Sequence, residues 1–276
     1  MIDANTKLIA LIGDPVAHSV SPAMQNAAFA SLGLNYVYLA FRVPSAGLGD
    51  AVTGLRGLGL RGANVTIPHK TLVLPFLDAI DDQARRVGAV NTILNEGGKL
   101  AGRNTDAPGF LTALRRGGYE PRGEKAVVLG AGGAARGVVF ALRDSGAAVS
   151  IVNRTPAAAR ALAAETGSTV FEMTEAGMRT ALAGASLVVN ATSVGMSPGD
   201  DATPLPTALL RPGMVVFDTV YRPRQTRLLR EAEAAGCVAI GGLEMLIEQG
   251  ALAFELWTGE VAPRDVMRRA AFEALG

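Results

Sequence analysis

An apolar run, Ala126-Val127-Val128-Leu129, passes without a spacer into Gly130-Ala131-Gly132-Gly133-Ala134-Ala135-Arg136-Gly137, and few folds accommodate that junction. Four apolar residues in a row read as a strand buried on both faces, the habit of parallel sheets. With 33 glycines in 276 residues, a G-x-G-x-x-A match alone carries little weight. Placed after a strand and at the opening of a helix, it reads as a dinucleotide fingerprint. The glycines allow the tight turn and let the backbone approach a pyrophosphate, whose charge sits at the helix N-terminus. A glycine-rich turn that binds nothing is the competing reading.

The end of the following strand, Ala148–Val152, selects the dinucleotide. An NAD site calls for an acidic residue there, to accept from the ribose 2′-hydroxyl. The chain offers Asn153-Arg154-Thr155 instead. A guanidinium and a hydroxyl suit a 2′-phosphate, so NADP is favoured, against the alternative of Arg154 as a solvated surface charge.

Short β-rich runs alternate with helical stretches along the whole chain, which predicts an α/β fold with parallel strands. Leu8–Ile12, Tyr36–Phe41 and Gly62–Thr66 read as strands, and Val90–Leu94 with Lys99–Gly102 as a hairpin. A helix is expected from Ser21-Pro22, with a serine cap and first-turn proline, to about Leu32. Leu72–Val87 reads as mostly helical, and another helix runs from about Ala107 to Arg116. Later strands are expected at Leu187–Asn190, Met214–Asp218 and Val238–Gly241, with helices from Gly133 to Ser145 and Thr155 to Thr166. Leu243 to Leu275 is helical and too long for a single crossover. The boundaries expected are residues 1–106 with 243–276 for one domain and 107–242 for a dinucleotide-binding domain.

Several classes are disfavoured by composition. A formal charge of +1 advertises no polyanionic partner, so nucleic acid is not expected. One cysteine, Cys237, permits no intrachain disulfide framework, and two histidines, His18 and His69, make a Cys/His metal site improbable. The first residues carry no signal-peptide pattern, and no apolar run reaches the ~18 residues of a membrane span. A cytoplasmic protein without a membrane partner is expected, as monomer or homodimer. Only four basic residues are lysines, at 7, 70, 99 and 125, so each lysine invites a question.

Three further segments supply chemistry: Gly13 to Pro22, Asn64-Val65-Thr66-Ile67-Pro68-His69-Lys70, and Asn91-Thr92 with Asn104-Thr105-Asp106. They fall at strand ends, where open α/β sheets place ligands. Their hydroxyls, amides, single ammonium and single carboxylate suit a small polyhydroxylated acid.

In this ordered set the chain resembles the shikimate dehydrogenase family. The resemblance is carried by Ser19-Val20-Ser21-Pro22, Asn64-Val65-Thr66 with Pro68 and Lys70, Gly88-Ala89-Val90-Asn91-Thr92, and Asn104-Thr105-Asp106. It continues through Gly130–Ala135, Asn153-Arg154-Thr155, Asn190-Ala191-Thr192, Tyr221, and Met245-Leu246 with Gln249. The resemblance implies an N-terminal α/β substrate-binding domain plus a Rossmann domain, with the active site in the cleft between them. It implies reversible NADPH-dependent reduction of 3-dehydroshikimate to shikimate. By the same resemblance Ser19 and Ser21 hold the substrate carboxylate with help from Tyr221. Thr66, Asn91, Asp106 and Gln249 bind ring hydroxyls, and Lys70 and Asp106 form the catalytic pair. The cofactor residues would be Gly130, Ala131, Gly132, Gly133, Ala134, Asn153, Arg154, Thr155, Thr192, Gly242 and Met245. Three departures stand out: Glu244 where many relatives have glycine, Arg103 at a variable place before Asn-Thr-Asp, and Ala158 where some NADP-dependent members carry a second phosphate-binding arginine.

Elementary chemistry stands beside the resemblance. Ketone reduction needs a proton donor at the carbonyl oxygen. Lysine can give and recover a proton, whereas arginine effectively cannot. On a helix, Glu244, Glu248 and Glu255 cluster within ~40° while Gln249 lies about 120° from their centre, which aims its amide among apolar neighbours. A core amide satisfied by backbone is the plain alternative for Gln249, as helix capping is for the two serines. His18, His69 and Trp257 read as structural. The competing functions are a quinate/shikimate dehydrogenase or related paralogue, and a non-catalytic dinucleotide sensor.

Overall fold

The computed structural model describes residues 2–276. The chain forms two compact units, one comprising the chain up to Gly109 together with Ile247–Gly276, the other Phe110–Leu246. The first contains β1 (Lys7–Gly13), α1 (Ser21–Ser31), β2 (Tyr36–Arg42), α2 (Leu48–Gly57), β3 (Gly62–Val65), β4 (Ala79–Ile80), α3 (Asp82–Val87), β5 (Thr92–Glu96) and β6 (Lys99–Arg103). Helix α4 (Asp106–Arg116) leads into the second unit. There follow β7 (Lys125–Leu129), α5 (Gly133–Asp144), β8 (Ala148–Asn153), α6 (Pro156–Thr166), β9 (Thr169–Glu172), α7 (Glu175–Ala181), β10 (Leu187–Asn190), β11 (Val215–Asp218), α8 (Arg227–Ala234) and β12 (Val238–Gly241). Helix α9 (Gly242–Thr258) returns the chain to the first unit, and α10 (Arg264–Leu275) ends it.

The first unit holds a six-stranded mixed sheet, ordered β2-β1-β3-β5-β6-β4. Strand β1 pairs parallel with β2 and β3, while β3–β5 and β5–β6 are antiparallel, the latter being the expected hairpin. Ala10, Ile12, Val52, Leu55, Ala63, Val65, Ile93 and Leu100 pack one face of it. The second unit holds six parallel strands in the order β12-β11-β10-β7-β8-β9. Reading outward from β7, the order reverses between β7 and β10, the topological switch point where doubly wound sheets bind ligands. Val127, Val128, Leu129, Val188, Val189, Val216 and Phe217 are fully buried, as strands covered on both faces require.

Two local expectations fail. Ser21 does not cap α1: Val20 occupies the cap position, no side chain caps the helix, and the Ser21 N–H donates to Ser19 Oγ at 3.2 Å. Leu72–Val87 is not one helix. Asp78 accepts from the Leu100 N–H at 2.7 Å, so Ala79 and Ile80 join β6 as a short strand. Asp81 then accepts from the Ala84 N–H at 2.7 Å and starts α3 afresh. Local carboxylate–backbone bonds out-compete helical continuity here. Among the described residues no helix is long and apolar enough to cross a membrane.

Candidate active site

In the first unit, four of the expected residues form one hydrogen-bonded network. Lys70 follows the turn after β3, which is tied down at several points. The His69 N–H donates to the Thr66 carbonyl at 2.8 Å, and the Val90 N–H to the Lys70 carbonyl at 2.8 Å. The fully buried His69 ring places Nε2 2.6 Å from the Val43 carbonyl. With its backbone fixed, Lys70 donates from Nζ to Asp106 Oδ2 at 2.6 Å. Their side chains are only 15% and 5% exposed, so the pair is held in a low-dielectric setting where a mutual charge interaction is strong.

Asp106 opens α4, and its other oxygen, Oδ1, accepts from Asn91 Nδ2 at 3.0 Å. The Asn91 amide has a fixed orientation. Its Oδ1 accepts from the Thr105 backbone N–H at 2.7 Å, and a backbone N–H can only donate. The nitrogen end therefore faces Thr105 Oγ1 at 2.8 Å, Asp106 Oδ1, and Gln249 Oε1 at 3.2 Å. Three acceptors around two amide protons leave acceptor capacity for a hydroxyl brought in by a ligand. Behind Asn91, Asn64 donates to the Asn91 carbonyl at 2.9 Å and to Thr92 Oγ1 at 3.1 Å, while it accepts from the Tyr38 hydroxyl at 2.8 Å. The roles of Asn64 and Tyr38 as a buried support were not singled out in the sequence.

Gln249 is buried, and its amide oxygen accepts from Asn91 Nδ2 at 3.2 Å, the kind of partner a buried amide requires. The carboxylate face of α9 is only partly solvated, with Glu244 and Glu255 half-buried. Glu248 is 2% exposed, and Arg264 of α10 joins it at 3.1 Å and Glu255 at 2.8 Å. Ser19 and Ser21 follow β1, and Thr66 follows the adjacent β3, where its N–H donates to the Ile12 carbonyl at 2.9 Å. Ser21 is buried, while Ser19 and Thr66 are half-buried.

In the second unit the fingerprint occupies the β7–α5 turn. Gly130 has φ +119°, a region closed to most side chains. Gly132 is the extended N-cap of α5, with Ala131, Gly133 and Ala134 around it at least partly exposed. The first-turn amides of a helix have no intrahelical partner, and here they sit under an accessible glycine turn suited to a pyrophosphate. At the end of the adjacent β8, Arg154 and Thr155 are exposed, and Asn153 Nδ2 donates to the Thr155 carbonyl at 2.9 Å. No acidic residue occurs in this turn. The donor set therefore fits a dinucleotide with a 2′-phosphate. Thr192 follows β10 and Tyr221 follows β11, both half-buried. Gly242 and Met245, at the start of α9, are buried. A Cβ on Gly242 would lie 2.4 Å from the Thr219 carbonyl oxygen, so only glycine fits that close approach. Trp257 is core, with its indole N–H donating to the Ile93 carbonyl at 3.0 Å.

Sequence reasoning also passed over Asp218, at the end of β11. It is fully buried, and burial pushes its carboxyl up to about 6. Among the described residues no group of three or more His, Cys, Asp or Glu is gathered as a metal site.

Comparison with known proteins adds a whole-chain likeness. Residues 11–93 match the shikimate dehydrogenase substrate binding domain, residues 113–197 the shikimate / quinate 5-dehydrogenase family, and residues 242–272 the shikimate 5'-dehydrogenase C-terminal domain. A shikimate dehydrogenase (NADP(+)) from Moorella thermoacetica is 51% identical, over 100% of this chain and 96% of the relative. A shikimate dehydrogenase solved in complex with NADP+ superposes with a TM-score of 0.94 at 42% identity, covering 100% of this chain and 98% of the other. The shikimate 5-dehydrogenase of Thermus thermophilus, solved with NADP(H) and shikimate, gives a TM-score of 0.90 at 46% identity, covering 98% and 100%.

Proposed function

The chain belongs to the shikimate dehydrogenase family, and on that premise we propose how its residues divide the reaction. The activity is that of an NADP-dependent oxidoreductase of the shikimate pathway, the reversible reduction of 3-dehydroshikimate to shikimate on the way to aromatic amino acids. The unit ending at Gly109 and resuming at Ile247 is the substrate-binding and catalytic domain, and Phe110–Leu246 is the NADP domain.

NADPH, when bound, supplies the hydride. It would be held by Gly130, Ala131, Gly132, Gly133 and Ala134 at its pyrophosphate, by Asn153, Arg154 and Thr155 at its 2′-phosphate, and by Thr192, Gly242 and Met245 toward the nicotinamide. Arg154 suits the phosphate because a guanidinium donates in pairs. Lys70 protonates the carbonyl oxygen of the substrate as it becomes a hydroxyl, and recovers that proton in the reverse direction. Asp106 holds the lysine ammonium and accepts from a ring hydroxyl. Asn91, Thr66 and Gln249 hold the other hydroxyls, while Ser19, Ser21 and Tyr221 receive the carboxylate. The buried Lys70–Asp106 bond carries this reading, since a dinucleotide sensor has no use for it. A small-molecule substrate, a soluble cofactor and a single half-buried thiol, Cys237, fit a cytoplasmic enzyme.

The test is a steady-state assay of shikimate and quinate, each with NADP and with NAD. Shikimate with NADP should give the highest kcat/KM. A preference for quinate or for NAD would move the chain to a neighbouring specificity.

A further inference from the structure

Asp218 is a fully buried carboxyl that the reaction outlined above does not use. Everything that reaches it is a donor. Asn190 Nδ2 donates to Oδ1 at 2.9 Å, the Val220 N–H to the same oxygen at 3.0 Å, and Thr226 Oγ1 to Oδ2 at 2.6 Å. Each partner holds a loop. Asn190 ends β10; its Oδ1 accepts from the Thr192 N–H at 3.1 Å and the Thr192 hydroxyl at 2.7 Å, while Nδ2 also donates to the Val194 carbonyl at 3.1 Å. Val220 precedes Tyr221. Thr226 caps α8 by accepting from the Leu229 N–H at 3.3 Å, which fixes the far end of the Tyr221 loop.

We propose that Asp218 is a positioning residue whose ionised carboxylate holds the β10 loop carrying Thr192 and the β11 loop carrying Tyr221 in their ligand-binding conformations. This rests on the cofactor and substrate roles given to those two residues above. A carboxylate accepts on both oxygens in fixed directions and cannot flip as an amide can. A buried charge without a counter-ion is also a costly way to fill a core, and a neutral group would serve packing alone. The groups facing it are uncharged: Asn190 from β10, the Gly241 backbone from β12, Val220 from the loop and Thr226 at α8. Nearby, Arg227 pairs with Glu231 and Arg230 donates to the Gln225 carbonyl. Arg222 and Arg224 lie on the same loop, and residues 110–246 contain no histidine.

The experiment titrates NADPH by fluorescence from pH 5.5 to 8.5, without substrate, for the full wild-type chain and Asp218→Asn, beside shikimate kinetics. Asparagine cannot accept from Thr226 at its nitrogen end, so it mimics the protonated carboxyl across this range. At pH 8 the variant should bind NADPH roughly three- to tenfold more weakly, from loss of a charge-assisted bond, with KM for shikimate raised and kcat within about twofold. Its Kd ratio to wild type should fall toward one below about pH 6, where wild type protonates. Taking the ratio cancels titration of the ligand's own phosphate, which also occurs near pH 6. Thr226→Val keeps the charge but removes a donor that lowers this pKa, so its Kd ratio should be largest just above pH 6. That variant decides the matter if Asp218→Asn does not fold. A folded variant with an unchanged or pH-independent Kd ratio overturns the inference alone. A wild-type chain that does not oxidise shikimate overturns the functional assignment and this inference with it.

Discussion

Replacing Asp218 with asparagine should stabilise the protein more at neutral pH than in mild acid. Burial raises this carboxyl from 3.8 to about 6, so the folded chain holds the proton more tightly than the unfolded chain does. Folded stability from this group therefore rises as pH falls from about 6 toward 4, and ionisation of a buried carboxyl costs stability above about 6. A gap of about two pKa units is about 3 kcal/mol, of which roughly 1 kcal/mol falls between pH 5 and 7.5. Asparagine does not titrate, so the variant escapes this cost. Any hydrogen bond it loses to Thr226 is the same at both pH values and cancels in the double difference. In a chain of this size about 1 kcal/mol corresponds to roughly 2–4 °C in Tm. Scanning calorimetry of both proteins at pH 5 and pH 7.5 reads it directly. The variant should gain about that much on its parent between the two conditions. Parallel pH dependences, or a gain in acid, would refute the premise that Asp218 ionises at a cost.

Three variants probe the remaining assignments. Arg154→Asp should weaken NADP by about tenfold or more and leave NAD nearly unchanged, because it trades a charged donor worth ~1.5–3 kcal/mol for a like charge; equal effects in a binding titration would show that Arg154 is not the discriminator. The double change Ser19→Ala with Ser21→Ala should raise KM for shikimate while the Kd for NADP stays constant, and an unchanged KM would move the carboxylate site elsewhere. Gly242→Ala drives a Cβ to 2.4 Å from the Thr219 carbonyl, and should lower stability by ~1–3 kcal/mol in denaturant titration and weaken NADP binding.

The parts of this molecule legible in the sequence are those written in contiguous residues. Strand β7 and its glycine turn announce themselves because a doubly covered strand is apolar throughout and the turn is glycine-rich. The hairpin β5–β6 is legible because Gly97 and Gly98, both at positive φ, close it. Strand β4 and helix α3 are not legible as such, because side chains from Asp78 and Asp81 impose breaks on an otherwise helical composition. Strand β9 is half-buried and only four residues long, so it leaves no periodic signal. In the site, Lys70 and Asp106 could be found from motif and chemistry. Their mutual support through Asn91, Asn64 and Tyr38 joins strands distant in sequence and appears only once the sheet order is known. Asp218 looks like any acid at a strand end until Asn190 and Thr226 close around it. Gln249 was found by phase and resemblance, but its partner Asn91 lies on another strand end.

The central claim is that Lys70, held by Asp106, moves the proton in an NADP-linked ketone reduction. Turnover of shikimate by Lys70→Met and Lys70→Arg, with NADP affinity measured in parallel, tests it most directly. Methionine keeps most of the stem but has no proton to give, and positioned acid–base groups contribute roughly 10²–10⁴-fold. Arginine keeps the charge beside Asp106 but cannot cycle a proton near neutral pH. Both variants should lose turnover by about that factor while binding NADP as the parent does. An arginine variant that retains most of the parent rate would reduce Lys70 to fixed electrostatics and contradict the account.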